Sequence, residues 1–231
     1  MITEEFKKLI LYSNTITDLI LTNKIIGIYL GGSRLFYLDS PESDYDIIVI
    51  TKDDSLFNYQ SVKLNIPNYN IHLHINSIKQ WVNTIKNPKE LTSYNNNKLT
   101  YEVFYVQPSE IIYDTPSFKD LRNIISKHLT PLCILALENS YNNLYNRINY
   151  PIIKYSKIYY HYLLVYFLLE TFKKTGVLHL SPQQRSVLLE LKTTQIIPSI
   201  FHEILKYPYP FKYFTSMYSY EEIYKEVKKY E

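Results

Sequence analysis

The sequence predicts an α/β fold, a small mixed sheet with flanking helices, followed by an all-helical C-terminal domain. Three observations predict it. Ile25 to Leu30 is an apolar run that stops at Gly31-Gly32, and a second apolar run, Ile47 to Ile50, follows after a polar connection. Ile71-His72-Leu73-His74-Ile75 alternates with period two, which argues for a half-buried strand with both histidines on its polar face. From Thr115 onward the apolar residues recur every three or four positions instead. The expected division is therefore 1–115 and 116–231.

Thr3 to Asn23 reads as one or two helices burying Phe6, Ile10, Leu11, Ile16 and Leu19. Residues 56–70, broken by Pro67 and rich in Asn, read as irregular. Ser77 caps a helix carrying Ile78, Trp81, Val82 and Ile85, which ends near Asn87-Pro88. Ser93 to Lys98 is the most loop-like stretch, Tyr101 to Val106 reads as a fourth strand, and Glu110 to Tyr113 as a short extended piece. Thr115-Pro116 and Thr130-Pro131 each place a capping residue before a proline, predicting two helix starts. Pro151 precedes a long helix, Lys154 to Lys174, apolar on nearly every side and closed by Lys173-Lys174-Thr175-Gly176. Ser181 to Gln184 and Ser219 to Glu222 read as capping boxes for the last helices.

The first strand and its turn carry the functional signal. With four glycines in 231 residues, an adjacent pair at a strand end argues for positive φ or a close approach by another group. Ser33 follows at once, so the turn offers backbone N–H groups and a hydroxyl to an anion. Asp44 and Asp46 then project from one face of the next strand. Two carboxylates beside an anion-binding turn are most simply explained by a divalent cation between them and a phosphate.

The stretch GGSRLFYLDSPESDYD resembles the signature of the polymerase-β-type nucleotidyltransferases, a Gly-Ser turn followed by Asp-x-Asp on the next strand. More narrowly it is similar to the nucleotidyltransferases of phages and bacteria that include an RNA-ligase accessory protein. The likeness is sharp over residues 31–46 and looser over Tyr155 to Leu191. It implies transfer of an NMP from an NTP, with ATP the expected donor, to an acceptor hydroxyl on an RNA end, a protein or a small molecule. It also implies Mg²⁺ or Mn²⁺ at Asp44 and Asp46, and nucleotide binding by Gly31, Gly32, Ser33 and Arg34. Arg34 has a second reading, a salt bridge to Glu42 or Asp44. Two departures stand out. The position where the family carries a third carboxylate falls on His72 or His74, and imidazole is a poor Mg²⁺ ligand. Tyr37 stands where relatives tend to have glycine. An alternative reading follows from the first departure: a catalytically impaired nucleotide-binding or protein-interaction module, one half of a toxin–antitoxin or RNA-repair system. Glu102 is the carboxylate to look for beside Asp44 and Asp46.

Composition agrees with a globular chain: 46% hydrophobic and 20% charged residues. The 25 tyrosines share A/T-rich codons with Ile, Asn and Lys, so the excess reads as nucleotide bias rather than a stacking surface for bases. Residues 1–115 hold 10 Lys/Arg against 13 Asp/Glu, and residues 116–231 hold 15 against 9, a distribution that suits a phosphate-bearing partner. Cys133 is alone and reads as a buried, inert thiol. Ile158 to Leu169 is too short to span a bilayer, which needs about 20 apolar residues, and MITEEFKKLI lacks the pattern of a secretory signal. The expected setting is the cytoplasm, with no membrane partner.

Overall fold

The computed structural model describes residues 2–40, 42–52, 60–86, 102–148, 155–194, 196–206 and 218–231. The expectations for Asp53 to Ser55, Asn87-Pro88, Ser93 to Lys98, Tyr101 and Pro151 lie outside them.

A five-stranded mixed sheet organises the first part of the chain, in the order β3-β4-β2-β1-β5. The strands are β1 (Ile25–Gly31), β2 (Tyr45–Thr51), β3 (Gln60–Ile66), β4 (Tyr69–Ser77) and β5 (Ile111–Asp114). Strands β1 and β2 are antiparallel, with Gly31 opposite Asp46 and Tyr29 opposite Ile48. Strand β4 runs parallel to β2, setting Asp46 opposite His72 and Ile48 opposite His74. Strand β3 pairs antiparallel with β4 and forms one edge of the sheet.

Helices α1 (Glu4–Leu11) and α2 (Asn14–Leu21) cover one face. Thr3 caps α1, its Oγ1 accepting from the Phe6 N–H at 3.1 Å. Phe6, Ile10, Ile16 and Leu19 pack there with Leu30, Ile47, Val49, Leu64, Ile71, Leu73 and Ile75. Each of β2, β3 and β4 thus turns its alternate apolar residues toward these helices, as the period-two pattern requires. A bulge between Ile25 and Gly27 lets both Ile25 and Ile28 join this core.

The opposite face is covered at one end by α5 (Pro116–Lys127). Thr115 caps α5 through the Phe118 N–H, and its hydroxyl also donates to the Ile26 carbonyl, tying helix to strand. Phe118 lies against Gly27 so closely that a β-carbon there would stand 2.6 Å from its Cδ1 and closer still to its Cγ, and the same ring stacks on Tyr29 at 6.1 Å. Helix α4 (Ile78–Lys86) buries Ile78, Trp81, Val82 and Ile85, with the Ser77 hydroxyl accepting from the Lys79 N–H.

Backbone contacts divide the chain into two units. One comprises Met1–Glu90, Asn95–Leu129 and Tyr220–Glu231; the other Leu91–Tyr94 and Thr130–Ser219. Helix α5 belongs with the sheet because Phe118 packs on Gly27 and Tyr29 of β1. The second unit holds most of α6 (Leu129–Ile148), together with α7 (Tyr155–Thr175), α8 (Pro182–Thr194) and α9 (Ser199–Lys206). Helix α7 buries Ile158, Tyr160, Tyr162 to Val165 and Phe167 to Leu169, the all-round burial its sequence predicts. Gly176 ends it at φ +70°, its N–H donating to the Phe172 carbonyl at 2.7 Å. Ser181 and Gln184 form the capping box of α8 through reciprocal bonds of 2.8 and 3.2 Å. Cys133 is fully buried, and burial pushes its thiol up. No helix among the described residues is long and apolar enough to cross a membrane.

Four local expectations are corrected. Residues 60–66 form β3 rather than irregular chain, because Pro67-Asn68 is a tight hairpin turn with Asn68 at φ +66°. Glu102–Phe104 is a 3₁₀ turn and not strand. Helix α6 begins at Leu129, so Thr130 lies inside its first turn. Helix α10 (Glu221–Val227) takes Tyr220 as N-cap with no side-chain bond, so Ser219 caps nothing there.

Candidate functional site

The end of the second sheet face away from α5 gathers most of the residues singled out in the sequence. Strand β1 ends at Gly31, and Gly32 opens the short helix α3 (Gly32–Leu35) at φ +67°. The Asp46 side chain lies directly over it: a β-carbon on Gly32 would stand 2.7 Å from the Asp46 Cγ and closer still to Oδ2. Both reasons for a glycine, positive φ and close approach, therefore hold at one residue. Gly31 is constrained too, since a β-carbon there would meet Ile48 Cγ1 at 2.6 Å and Glu102 Oε2 at 2.9 Å. Glu102 thus brings a third carboxylate to the glycine turn, from a 3₁₀ turn instead of a strand. Full burial, and after it the charge of Glu102, pushes the Tyr29 phenol well above its ordinary range.

Strand β4 supplies the other side. His74 Nε2 lies 2.6 Å from Asp46 Oδ1, and His72 Nε2 lies 3.9 Å from Asp44 Oδ2. A carboxylate only accepts, so His74 Nε2–H is the donor. The parallel register of β2 and β4 produces both pairings, each histidine lying near the aspartate two residues before its strand partner. Burial separates them: the His74 side chain is 8% exposed and Asp46 23%, against 31% for His72 and 42% for Asp44. The inner pair is fixed and the outer pair faces solvent.

The salt-bridge reading of Arg34 is corrected in its partner. Its guanidinium donates to Asp39 Oδ2 at 2.8 Å, to the Ser43 carbonyl at 2.6 Å and to the Asp44 carbonyl at 3.2 Å, and lies 3.8 Å over the Tyr45 ring. Its ion-pair partner is Asp39, not Glu42 or the Asp44 carboxylate. Arg34 clamps the connection that delivers Asp44 and Asp46, a role reinforced by Ser43 Oγ accepting from the Ser40 N–H at 2.8 Å. Tyr37 adopts φ +57° and is 62% exposed; glycine suits that position because the backbone there is left-handed.

For a divalent cation, the donor set fits by its chemistry. Asp44 and Asp46 present oxygen and His72 and His74 nitrogen from one face, a mixture suited to Mn²⁺ or Zn²⁺ more than to Mg²⁺. As the side chains stand, no three His, Cys, Asp or Glu groups among the described residues converge on a metal-sized point. An open hollow of about 540 Å³ lies at the far end of β1 and β2, lined by Ile26, Lys52, Ser117, Asp120, Lys229 and Tyr230, and holds none of the site residues.

No protein-family model matches the chain, and no curated protein matches it significantly. Among solved structures, it is similar to a nucleotidyltransferase-like protein from Exiguobacterium sibiricum 255-15, with 16% identity over 98% of this chain and 73% of that one, at a TM-score of 0.34.

Proposed function

We propose that this chain is a nucleotidyltransferase of the cytoplasm that transfers an NMP from an NTP, with ATP the expected donor, to an acceptor hydroxyl. The observation that carries the reading is the packing of the Asp46 carboxylate on Gly32: it joins the anion-binding turn and the Asp-x-Asp strand into one site. In the transfer, the bond from the acceptor oxygen to the α-phosphorus forms and the bond from that phosphorus to pyrophosphate breaks. Pyrophosphate leaves with the electron pair, and the hydroxyl proton passes to water.

Each residue has a part in this. The N–H groups at Gly32 and Ser33, where the N-cap glycine has no side chain to satisfy them, receive the β and γ phosphates. His74 orients Asp46, and Arg34 holds the connection that presents Asp44. Asp44 and Asp46, with His72 on one side and Glu102 on the other, would hold the Mg²⁺ or Mn²⁺, whose chemistry when bound is to neutralise the triphosphate and acidify the hydroxyl. The His74–Asp46 hydrogen bond engages Oδ1, so an ion held by Asp46 would use Oδ2 or share Oδ1.

A second reading, a nucleotide-binding or protein-interaction module without transfer, is favoured by that same hydrogen bond, which occupies the aspartate a metal would use. Such a module would be half of a two-component system, with RNA or another protein as its partner. Incubation with α-labelled ATP and Mg²⁺ or Mn²⁺, with and without bulk RNA, separates the two. Label transfer abolished by Asp44→Ala and by Asp46→Ala is expected, with His72→Asp raising the Mg²⁺-supported rate because it restores an oxygen donor. ATP binding with no transfer to any acceptor would leave only the binding module.

A further inference from the structure

Across the sheet, one row of paired residues runs from the glycine turn to the open edge: Gly31 opposite Asp46, Asp46 opposite His72, and His72 opposite Lys63 on β3. All four project on the same side. The proof lies in their neighbours, since Leu64 is buried in the apolar core with Leu73, Ile71 and Ile47, and Val62 packs against it, on the other side. Lys63 is exposed, and no ion pair to it occurs among the described residues. Among the described residues it is also the only lysine or arginine within the five strands.

We infer that Lys63 binds a phosphate of the acceptor, so that the acceptor is itself a phosphate-bearing molecule, a nucleic-acid end in the form the charge favours. The inference rests on the nucleotidyltransferase reading for its direction. Attacking and leaving oxygens stand roughly in line across the transferred phosphorus. Pyrophosphate leaves on the side of the glycine turn, at β1, so the acceptor enters from the side of β4 and β3. There an anionic acceptor meets Asp44 and Asp46, which repel it, and Arg34 is engaged with Asp39 and two carbonyls. Lys63 lies two strands from Asp46, a Cα separation of about 10 Å at the usual strand spacing, and its flexible four-carbon stem is long enough to extend over the neighbouring His72 position. It supplies the positive charge that side of the site otherwise lacks within the sheet.

Two phosphate-bearing probes test this on the full chain by direct binding: a fluorescent 12-nucleotide single-stranded RNA and a nucleoside 5′-monophosphate. Lys63→Ala, a change at an exposed position, is expected to weaken one or both by about five-fold and to lower the salt slope of RNA binding by about 0.7, as loss of one phosphate contact does. Lys63→Arg is expected to retain both, and ATP affinity is expected to stay within about two-fold of wild type. Loss confined to RNA identifies a nucleic-acid acceptor, and loss confined to the monophosphate a small phosphorylated one. Unchanged affinity and slope for both probes overturn the inference, leaving Lys63 as a solvated residue that keeps other strands off the edge. Loss of ATP affinity alone overturns it as well, as does a wild type that binds neither probe. Gly32→Val is run alongside: if it leaves ATP affinity intact, the nucleotide reading fails, whatever Lys63→Ala shows.

Discussion

The two faces of the sheet are built by alternate residues of the same strands and are held together in opposite ways. Toward α1 and α2, strands β2 and β4 present Ile47, Val49, Ile71, Leu73 and Ile75, all at 1% exposure or less. Toward the site, the same strands present Asp46, His72, His74 and Asn76, with His74 and Asn76 buried despite being polar. The first face is stabilised by apolar area removed from water, which is non-directional and tolerant of shape-conserving exchange. The second also buries Ile48 and Ile50, but its site end depends on single atoms in single places: one hydrogen bond at Asp46 and one missing β-carbon at Gly32.

The largest effects come from striking each face at its centre. Leu73→Ala removes a fully buried side chain and is expected to cost about 2–5 kcal/mol, with ATP affinity of the folded protein unchanged. Gly32→Val forces a β-branched residue to φ +67° and drives its β-carbon into Asp46, at an expected cost of about 2–4 kcal/mol from strain and overpacking together. Here, however, ATP binding should be lost. Urea unfolding and equilibrium dialysis with ATP, on both variants, check the contrast. Equal ATP affinity in Gly32→Val and wild type would remove the phosphate role of the turn.

That contrast also explains what was legible in the sequence. Period-two patterning reveals β4 and the face of its histidines, and the adjacent glycines reveal a turn needing both positive φ and close approach, because each is a local rule. Capping signals at Thr115 and Ser181 are local as well, and the structure has both. Strand β3 carries the same pattern, Val62, Leu64 and Ile66 alternating with Lys63 and Asn65, and escapes because Pro67-Asn68 reads in sequence as a break instead of a hairpin turn. The partners of Arg34 are not legible either. Its bonds to the Ser43 and Asp44 carbonyls depend on how the connection folds back, which no spacing rule encodes. Glu102 can be flagged as a carboxylate, but its arrival at Gly31 depends on a tertiary approach.

An intermediate effect separates the two histidines. His74→Ala leaves Asp46, itself three-quarters buried, without the 2.6 Å bond, and is expected to destabilise the fold by about 1–3 kcal/mol. His72→Ala, with its ring 3.9 Å from an exposed Asp44, is expected to change stability by about 0.5 kcal/mol or less. Chemical denaturation of both variants measures the difference. Equal losses would mean that the buried pair contributes no more than the exposed one, and the site face would then be held by something other than Asp46 and its donor.

The smallest effect lies in the turn beyond the glycines. Three non-glycine residues among those described have positive φ: Asn23, Tyr37 and Asn68. Asparagine tolerates that region because its short polar side chain bonds locally, whereas a bulky aromatic side chain does not. Tyr37 therefore carries strain of about 1–2 kcal/mol, and its ring, mostly in solvent, recovers little of it by burial. Tyr37→Gly removes that strain but adds conformational freedom to the unfolded chain, worth about 0.5–1 kcal/mol in the opposite direction. The expected result is a net gain of about 0.5–1 kcal/mol, read as a higher urea midpoint at unchanged slope. No residue on the core face of the strands offers a comparable gain from losing a side chain, since there each one removed costs buried area. If Tyr37→Gly instead destabilises, the ring makes a contact worth more than the strain, and its place beside the glycine turn would make that contact part of the site.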